Sequence, residues 1–161
     1  MESLNKEIRE YTLQLSQGHI QKAYRGILSF MSELRTNLER NYPDYTLSSM
    51  YAGYLDMSYF AFTPLQLKRK KLKIAIVYLH GENRFEAWLT GFNRQTQTEV
   101  IESLREKDLK QFTLSETGTG VDSIIAYPII KRPNFNKPEH LKQQIEINTL
   151  LFIKEMDNLL K

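Results

Sequence analysis

The sequence contains no cysteine. That excludes a disulfide framework, a thiolate zinc site and a cysteine nucleophile, and a reducing cytoplasm is the simplest home for such a chain. No run of about 18 apolar residues is present, so no membrane-spanning segment is expected. The opening stretch MESLNKEIREYTLQL sets charges among its apolar positions and lacks the apolar core of a secretory signal. There is no internal repeat and no low-complexity segment. Histidine is scarce, and His19, His80 and His140 share neither HxxxH nor HxH spacing, so no histidine metal site and no cofactor is expected.

Charge of one sign is scarce too, except in one place. The net charge is +3, but Lys68, Arg69, Lys70, Lys71 and Lys73 supply five of the 22 basic residues, and without them 17 basic residues face 19 acidic ones. The basic character is one local cluster on a nearly neutral body. A nucleic-acid binder usually carries a broader stripe. LKRKKLK could bind phosphates or acidic lipid heads, but the simpler reading is a solvated connector whose lysines guard a strand start against edge pairing. The tyrosines at 42, 45, 51, 54 and 59 could stack bases, and they are equally ordinary strand residues.

What the chain does have is clear periodicity. With 161 residues and 41% hydrophobic content it fits one globular domain with a real core. Leu4, Ile8, Tyr11 and Leu15 recur at helical spacing, and Gln17-Gly18 stops that helix. Ile20, Ala23, Tyr24, Ile27, Leu28, Met31, Leu34 and Leu38 then form a continuous stripe, which predicts a helix over about 19–41 that ends before Pro43. Gly26 lies inside it and suggests close packing of another element. A strand is expected at about 54–62, with a further short one at 45–50, and PLQLKRK reads as a connector. Strands follow at about 71–80 and 84–91. Thr96-Gln-Thr-Glu99 has the capping-box pattern and predicts a helix at about 97–107.

Thr117-Gly-Thr-Gly120 could suggest a phosphate cradle, but no GK[ST] accompanies it and a strand follows, so it reads as a loop. Asp122–Ile130 is the next strand. Asn136 is placed to cap a last helix with Pro138 and Glu139 in its first turn. That helix carries a stripe of Leu141, Ile145, Phe152, Met156 and Leu159, widened by Ile147, Leu150, Leu151 and Ile153, which suggests sheet on one side and another helix on the other. The class is α+β: a mostly antiparallel sheet of about four to five strands, helices mainly on one face, order α-α-β-β-β-α-β-α.

The stretch LHGENRFEAW at 79–88 gathers a histidine, two glutamates, an arginine and a tryptophan around one glycine. A two-residue loop at Gly81-Glu82 puts glycine where a type II′ turn requires it. Counting outward, His80 faces Asn83, Leu79 faces Arg84, Val77 faces Glu86 and Ala75 faces Trp88. One sheet face then holds Leu72, Ile74, Ile76, Tyr78, Phe85, Ala87 and Leu89, and should be core. The other holds Lys73, Ala75, Val77, Leu79, Arg84, Glu86, Trp88 and Thr90. A three-residue loop would mix charge into the apolar face, so the first register is preferred. His80 leaves the cluster, and Arg84, Glu86 and Trp88 remain as a row with Lys73 diagonal to Trp88. If Met57 and Tyr59 share the core face, Asp56 and Ser58 join the row. The polar face reads as a ligand or peptide surface, or more simply as an amphipathic face with cross-strand ion pairs.

Helix, three strands, helix and strand is also the core order of restriction-endonuclease-like nucleases, which hold Mg²⁺ through an Asp followed by Glu-x-Lys. Here strand 71–80 carries no acid, and Trp88 stands where lysine would follow Glu86. A divergent metal site using Asp56 and Glu86 is the enzymatic alternative. The stretches HIQKAYRGILSFMSELRTNL, YPDY, GYLDMSYFAF, LKRKKLKIAIV and RFEAWLTGFNRQ together resemble an uncharacterised bacterial family, a domain of unknown function of about this length. The resemblance covers nearly the whole chain, implies a stand-alone bacterial domain and carries over no catalytic residue.

The sequence therefore favours a non-enzymatic cytoplasmic binding module. Its partner, a small molecule or a protein, meets the face around Arg84, Glu86 and Trp88 with Lys73 and Asp56. The basic segment 68–73 is a less favoured nucleic-acid surface, and oligomeric state is left open.

Overall fold

The computed structural model describes residues 3–116 and 122–161. The Thr117–Gly120 loop lies outside them. Helices α1 (Leu4–Gln17) and α2 (His19–Asn41) meet at Gly18, whose left-handed φ of 80° closes the first helix through its N–H on the Leu15 carbonyl. Ser3 caps α1 by accepting the Lys6 N–H at 3.3 Å. The predicted bounds of both helices hold, but their burial is uneven. No residue of α1 is buried, and in α2 the buried positions begin at Phe30 and continue with Met31, Leu34 and Leu38. The expected packing at Gly26 is absent: nothing lies within 4 Å of where its Cβ would stand. Its bare backbone instead helps open an apolar groove with Ala23, Phe30 and Phe135.

The sheet is five-stranded and antiparallel throughout, with the strands side by side in chain order: β1 (Thr46–Leu47), β2 (Met57–Thr63), β3 (Leu72–Leu79), β4 (Arg84–Gly91) and β5 (Ile125–Ile130). Between β2 and β3 the expected connector folds into one turn of helix, α3 (Leu65–Lys68), with Leu67 buried beneath it. Pro64 precedes this turn in an extended conformation, as its fixed φ allows. One sheet face is core. Phe60 and Phe62 of β2, Ile74 and Ile76 of β3, and Phe85 and Leu89 of β4 are completely buried there. Each such side chain contributes roughly 1.5–3 kcal/mol of hydrophobic stabilisation.

The β3–β4 register is the expected one, from Leu79↔Arg84 to Leu72↔Gly91. The turn is different. Residues 80–83 form a four-residue loop in which Asn83, not Gly81, takes the left-handed conformation, at φ 51°. Lengthening the loop by one residue at each end leaves the pairing unchanged, so the register survives the wrong turn type. Tyr78 Oη donates to Asn83 Oδ1 at 2.7 Å and holds that residue in place.

The β2 register overturns one expectation. Tyr59 pairs with Val77 and Met57 with Leu79, so both belong to the second face, while Ser58 and Phe60 turn to the core. Ser58 is fully buried, and Asp56 has its parity. Asp56 and Ser58 therefore do not join Arg84, Glu86 and Trp88.

Helix α4 (Arg94–Leu104) starts three residues earlier than the capping-box pattern predicts. Asn93 is its cap and accepts the Thr96 N–H at 2.8 Å, so Thr96 is the third residue of the helix and not its start. Helix α5 (Pro138–Leu159) begins at Pro138 without the side-chain cap expected from Asn136. It lays Leu141, Ile145, Phe152, Ile153 and Met156 on the core. Helix α2 is the second helix beside it, as expected, but the outer edge of the stripe stays uncovered, and Ile147 and Leu151 are each 57% exposed. Two polar ties join α2 to α5. Lys142, nearly buried, reaches Glu33 at 2.9 Å and Glu139 at 3.1 Å. Desolvation opposes its charge, but hydrogen bonds to the two carboxylates outweigh it and raise its pKa. Tyr42 Oη donates to Glu146 at 3.0 Å, and burial together with that bond pushes its pKa to about 12.

Candidate functional site

The second sheet face is open, and it is concave. Its floor is Met57, Tyr59 and Ala61 of β2 with Ala75 and Val77 of β3, and Trp88 and Thr90 of β4 continue it. One wall is the segment 48–51, bound to the edge of β2 by the Tyr51↔Tyr59 bridge. The other is the start of α4, with Asn93, Arg94 and Gln97. These elements enclose about 510 Å3, within the usual range for small-molecule sites of roughly 300–1,000 Å3. Gly91 makes the α4 wall feasible, because a Cβ there would stand 2.8 Å from the Gln97 nitrogen.

Arg84, Glu86 and Trp88 project from alternate positions of β4 onto this face, as expected, but with unequal roles. Glu86 is 5% exposed, and both of its oxygens are engaged. Oε2 accepts from Arg84 Nε at 2.7 Å and Oε1 from Trp88 Nε1 at 2.8 Å. Glu86 is thus a bracket. It fixes the indole and uses its only donor, so Trp88 offers the trough a ring surface and no hydrogen bond. Of the sequence-selected residues, Trp88 and Lys73 line the trough, and Arg84 and Glu86 support it. Met57, Ser48, Arg94 and Asp122 line it too and were missed, and Tyr51 and Tyr59, noted in the sequence only as possible stacking residues, were not assigned to this face. One signal for Tyr59 was available. Phe60 and Phe62 are hydrocarbon-only side chains, whereas Tyr59 carries a hydroxyl better placed at a wet face.

Asp56 sits elsewhere. Its carboxylate accepts the Tyr54 N–H at 2.9 Å, and backbone N–H groups hold its pKa below the usual carboxylate value. It does not converge with Glu86, which projects from the other face with both oxygens taken. The Asp56–Glu86 metal pair therefore lacks its geometry. Among the described residues no group of three or more His, Asp or Glu side chains could hold a metal ion.

Asp56, His80 and Ser58 do approach one another on the core side. His80 Nε2 lies 2.9 Å from Ser58 Oγ. The set has the composition of a hydrolytic triad but the wrong polarity. Ser58 Oγ donates to the Ala52 carbonyl, so Nε2 must carry a proton and donate to Ser58, and the hydroxyl is fully buried. Desolvation lowers the His80 pKa, and the Asp56 charge partly restores it. A histidine depressed in the folded state contributes stability above about pH 6.5 that is lost as pH falls. Asp56→Asn is expected to lower the His80 pKa further, read from its ring-proton NMR titration. A titration that moves upward would overturn the assignment.

The basic segment is divided. Lys68 Nζ bonds Thr46 Oγ1 at 3.1 Å, Lys70 Nζ bonds the Leu160 carbonyl at 3.1 Å, and Lys73 Nζ stands 5.0 Å from the centre of the Phe92 ring. Arg69 closes α3, and Lys71 takes a left-handed φ of 60° to start β3. Lys68 and Lys73 border one recess while Lys70 reaches the end of the last helix, so the five charges do not form one stripe.

Fold and site together define an α+β domain with an aromatic-floored trough on the uncovered face of a five-stranded antiparallel meander. The chain belongs to a family described as a domain of unknown function (DUF7000), which it matches over residues 4–160. No curated protein and no solved structure matches it significantly. No helix of the described residues is long and apolar enough to cross a membrane.

Proposed function

We propose that this chain is a binding module, bacterial and cytoplasmic, that holds a small molecule in the trough over the second sheet face. One observation carries the reading: Trp88 is fixed by a buried carboxylate at the edge of a 510 Å3 cavity that no element of the described structure fills. A buried Glu86 engaged only with Arg84 and Trp88 adds little to the core, but it pre-organises the ring, and pre-organisation lowers the entropic penalty of binding. A concave floor walled on two sides suits a small molecule better than a flat protein surface. No catalytic step is assigned, because Glu86, Asp56 and His80 are committed to structural bonds. Trp88 is the chain's single tryptophan, so its emission reports on the site directly. Small molecules that raise the unfolding temperature in a screen are expected to change Trp88 emission. They should bind at least tenfold more weakly to Ala75→Leu, which fills the floor, and to Trp88→Ala. Hits that keep full affinity for both variants would sink the proposal.

A further inference from the structure

A smaller recess of about 150 Å3 opens beside the trough and shares Ser48, Ala61 and Lys73 with it. Roughly five water molecules would fill that volume. It has room for a phosphate or carboxylate group. Lys68 enters it from α3 and Lys73 from β3, with Phe92 beside them, and none of the side chains around it is acidic. Neither ammonium group forms an ion pair among the described residues. Lys68 is held by the Thr46 hydroxyl at 3.1 Å, and Lys73 stands over the Phe92 ring at 5.0 Å from its centre. Both heads are therefore positioned while their charges remain uncompensated. The acid that lines the main chamber, Asp122, comes from the segment before β5, two strands away from β3.

The main chamber complements this. Its aromatic members are Trp88, with its N–H already bonded to Glu86, and the Tyr51–Tyr59 pair, whose ring centres are 5.0 Å apart. Such surfaces select a flat ring by stacking, not by hydrogen-bond pattern. Two lysines around a partly enclosed recess select a negative charge, because attraction there is screened less than in open water.

We propose that the ligand is a small planar molecule bearing a phosphate or carboxylate, with its ring in the chamber of Trp88 and Tyr59 and its anionic group between Lys68 and Lys73. This rests on the small-molecule reading above and adds the charge and the orientation. Two matched pairs test it by titration calorimetry at low salt: adenosine monophosphate against adenosine, and nicotinate against nicotinamide. The anionic member of at least one pair is expected to bind at least tenfold more tightly, and the pair that discriminates separates phosphate from carboxylate. The Lys68→Gln/Lys73→Gln double variant is expected to abolish the difference between the two members of the pair. Both lysines are exposed, so the variant should keep its unfolding midpoint, and the wild-type comparison needs no variant. Equal binding within both pairs, or a preference that survives the double variant, overturns the inference and leaves the trough as a neutral-ligand site. No binding by any of the four at millimolar concentration overturns the small-molecule reading as well.

Discussion

Gly53→Ala is expected to destabilise the protein by about 2–4 kcal/mol, combining left-handed strain with overpacking. Gly53 has φ 75°, and a Cβ there would meet the Met57 carbonyl oxygen at 1.9 Å. That contact is backbone against backbone, so no side-chain rotation relieves it. The loop must move, and its anchors must break. Tyr24 Oη donates to the Gly53 carbonyl at 3.2 Å, and Tyr51 exchanges both backbone bonds with Tyr59 at 2.8 and 2.9 Å. The same loop supplies an internal control. Leu55 also has a left-handed φ, 69°, but its side chain is 54% exposed. Leu55→Gly removes strain of about 1–2 kcal/mol at the expense of about 1 kcal/mol of chain entropy, and is expected to be near neutral. Urea unfolding followed by Trp88 emission measures both through midpoints at constant slope. Because the loop carries Tyr51, Gly53→Ala should also weaken trough ligands. A Gly53→Ala protein within 1 kcal/mol of wild type would mean that the loop does not hold this conformation.

The second large effect is expected at the bracket. Arg84→Met should destabilise by about 2 kcal/mol, the range for a hydrogen bond to a charged group. It strands a Glu86 carboxylate whose side chain is 6% exposed, with only the indole N–H left to it. The Arg84 side chain is 37% exposed, so solvent screening keeps the figure toward the lower end of buried-pair effects. Combining Arg84→Met with Glu86→Leu should cost clearly less than the two single changes added together. The double change leaves no unpaired buried charge, and a coupling of about 1 kcal/mol is expected. Glu86→Leu should also shift Trp88 emission, because the indole N–H loses its acceptor. Strict additivity would mean that the carboxylate is hydrated and does not act as a bracket.

How much of this was legible differs from element to element. The bounds of α2 at 19–41 and of β4 at 84–91 follow from periodicity that is unambiguous over long stretches. The pairing of β3 with β4 follows because a one-residue slip would set Glu86 and Trp88 opposite Tyr78 and Ile76 and mix charge into the apolar face. Local chemistry read less well. Thr96-x-x-Glu99 is a capping-box pattern, but Asn93 lies three residues upstream and is a better cap. Gly81 satisfies a type II′ turn on paper, but Asn83 tolerates the left-handed conformation well enough to support a longer loop. The parity of β2 was ambiguous because both of its faces are apolar. The alternative Met57, Tyr59 and Ala61 sits against Ser58, Phe60 and Phe62, and no pattern rule says that the face containing serine is the buried one. His80 and the Ala52 carbonyl make that placement feasible by bonding Ser58 Oγ, and those partners come from two different loops.

By itself, the sequence determined the class of fold, the helix and strand bounds within a few residues, and the row Arg84-x-Glu86-x-Trp88 on one face of β4. Those features depend on near-neighbour spacing, which periods of 3.6 and 2.0 express directly. Only the tertiary structure decided that this face is a walled trough, that Glu86 is a bracket and not a ligand or a metal site, that Asp56 belongs to the other side, and that the run Lys68–Lys73 divides so that two of its charges meet beside the trough. The trough, the place of Asp56 and the recess of Lys68 and Lys73 depend on segments far apart in the chain, brought together by the sheet and the packing of loops, and the bracket depends on which atoms of near neighbours meet; spacing along the chain carries no record of either.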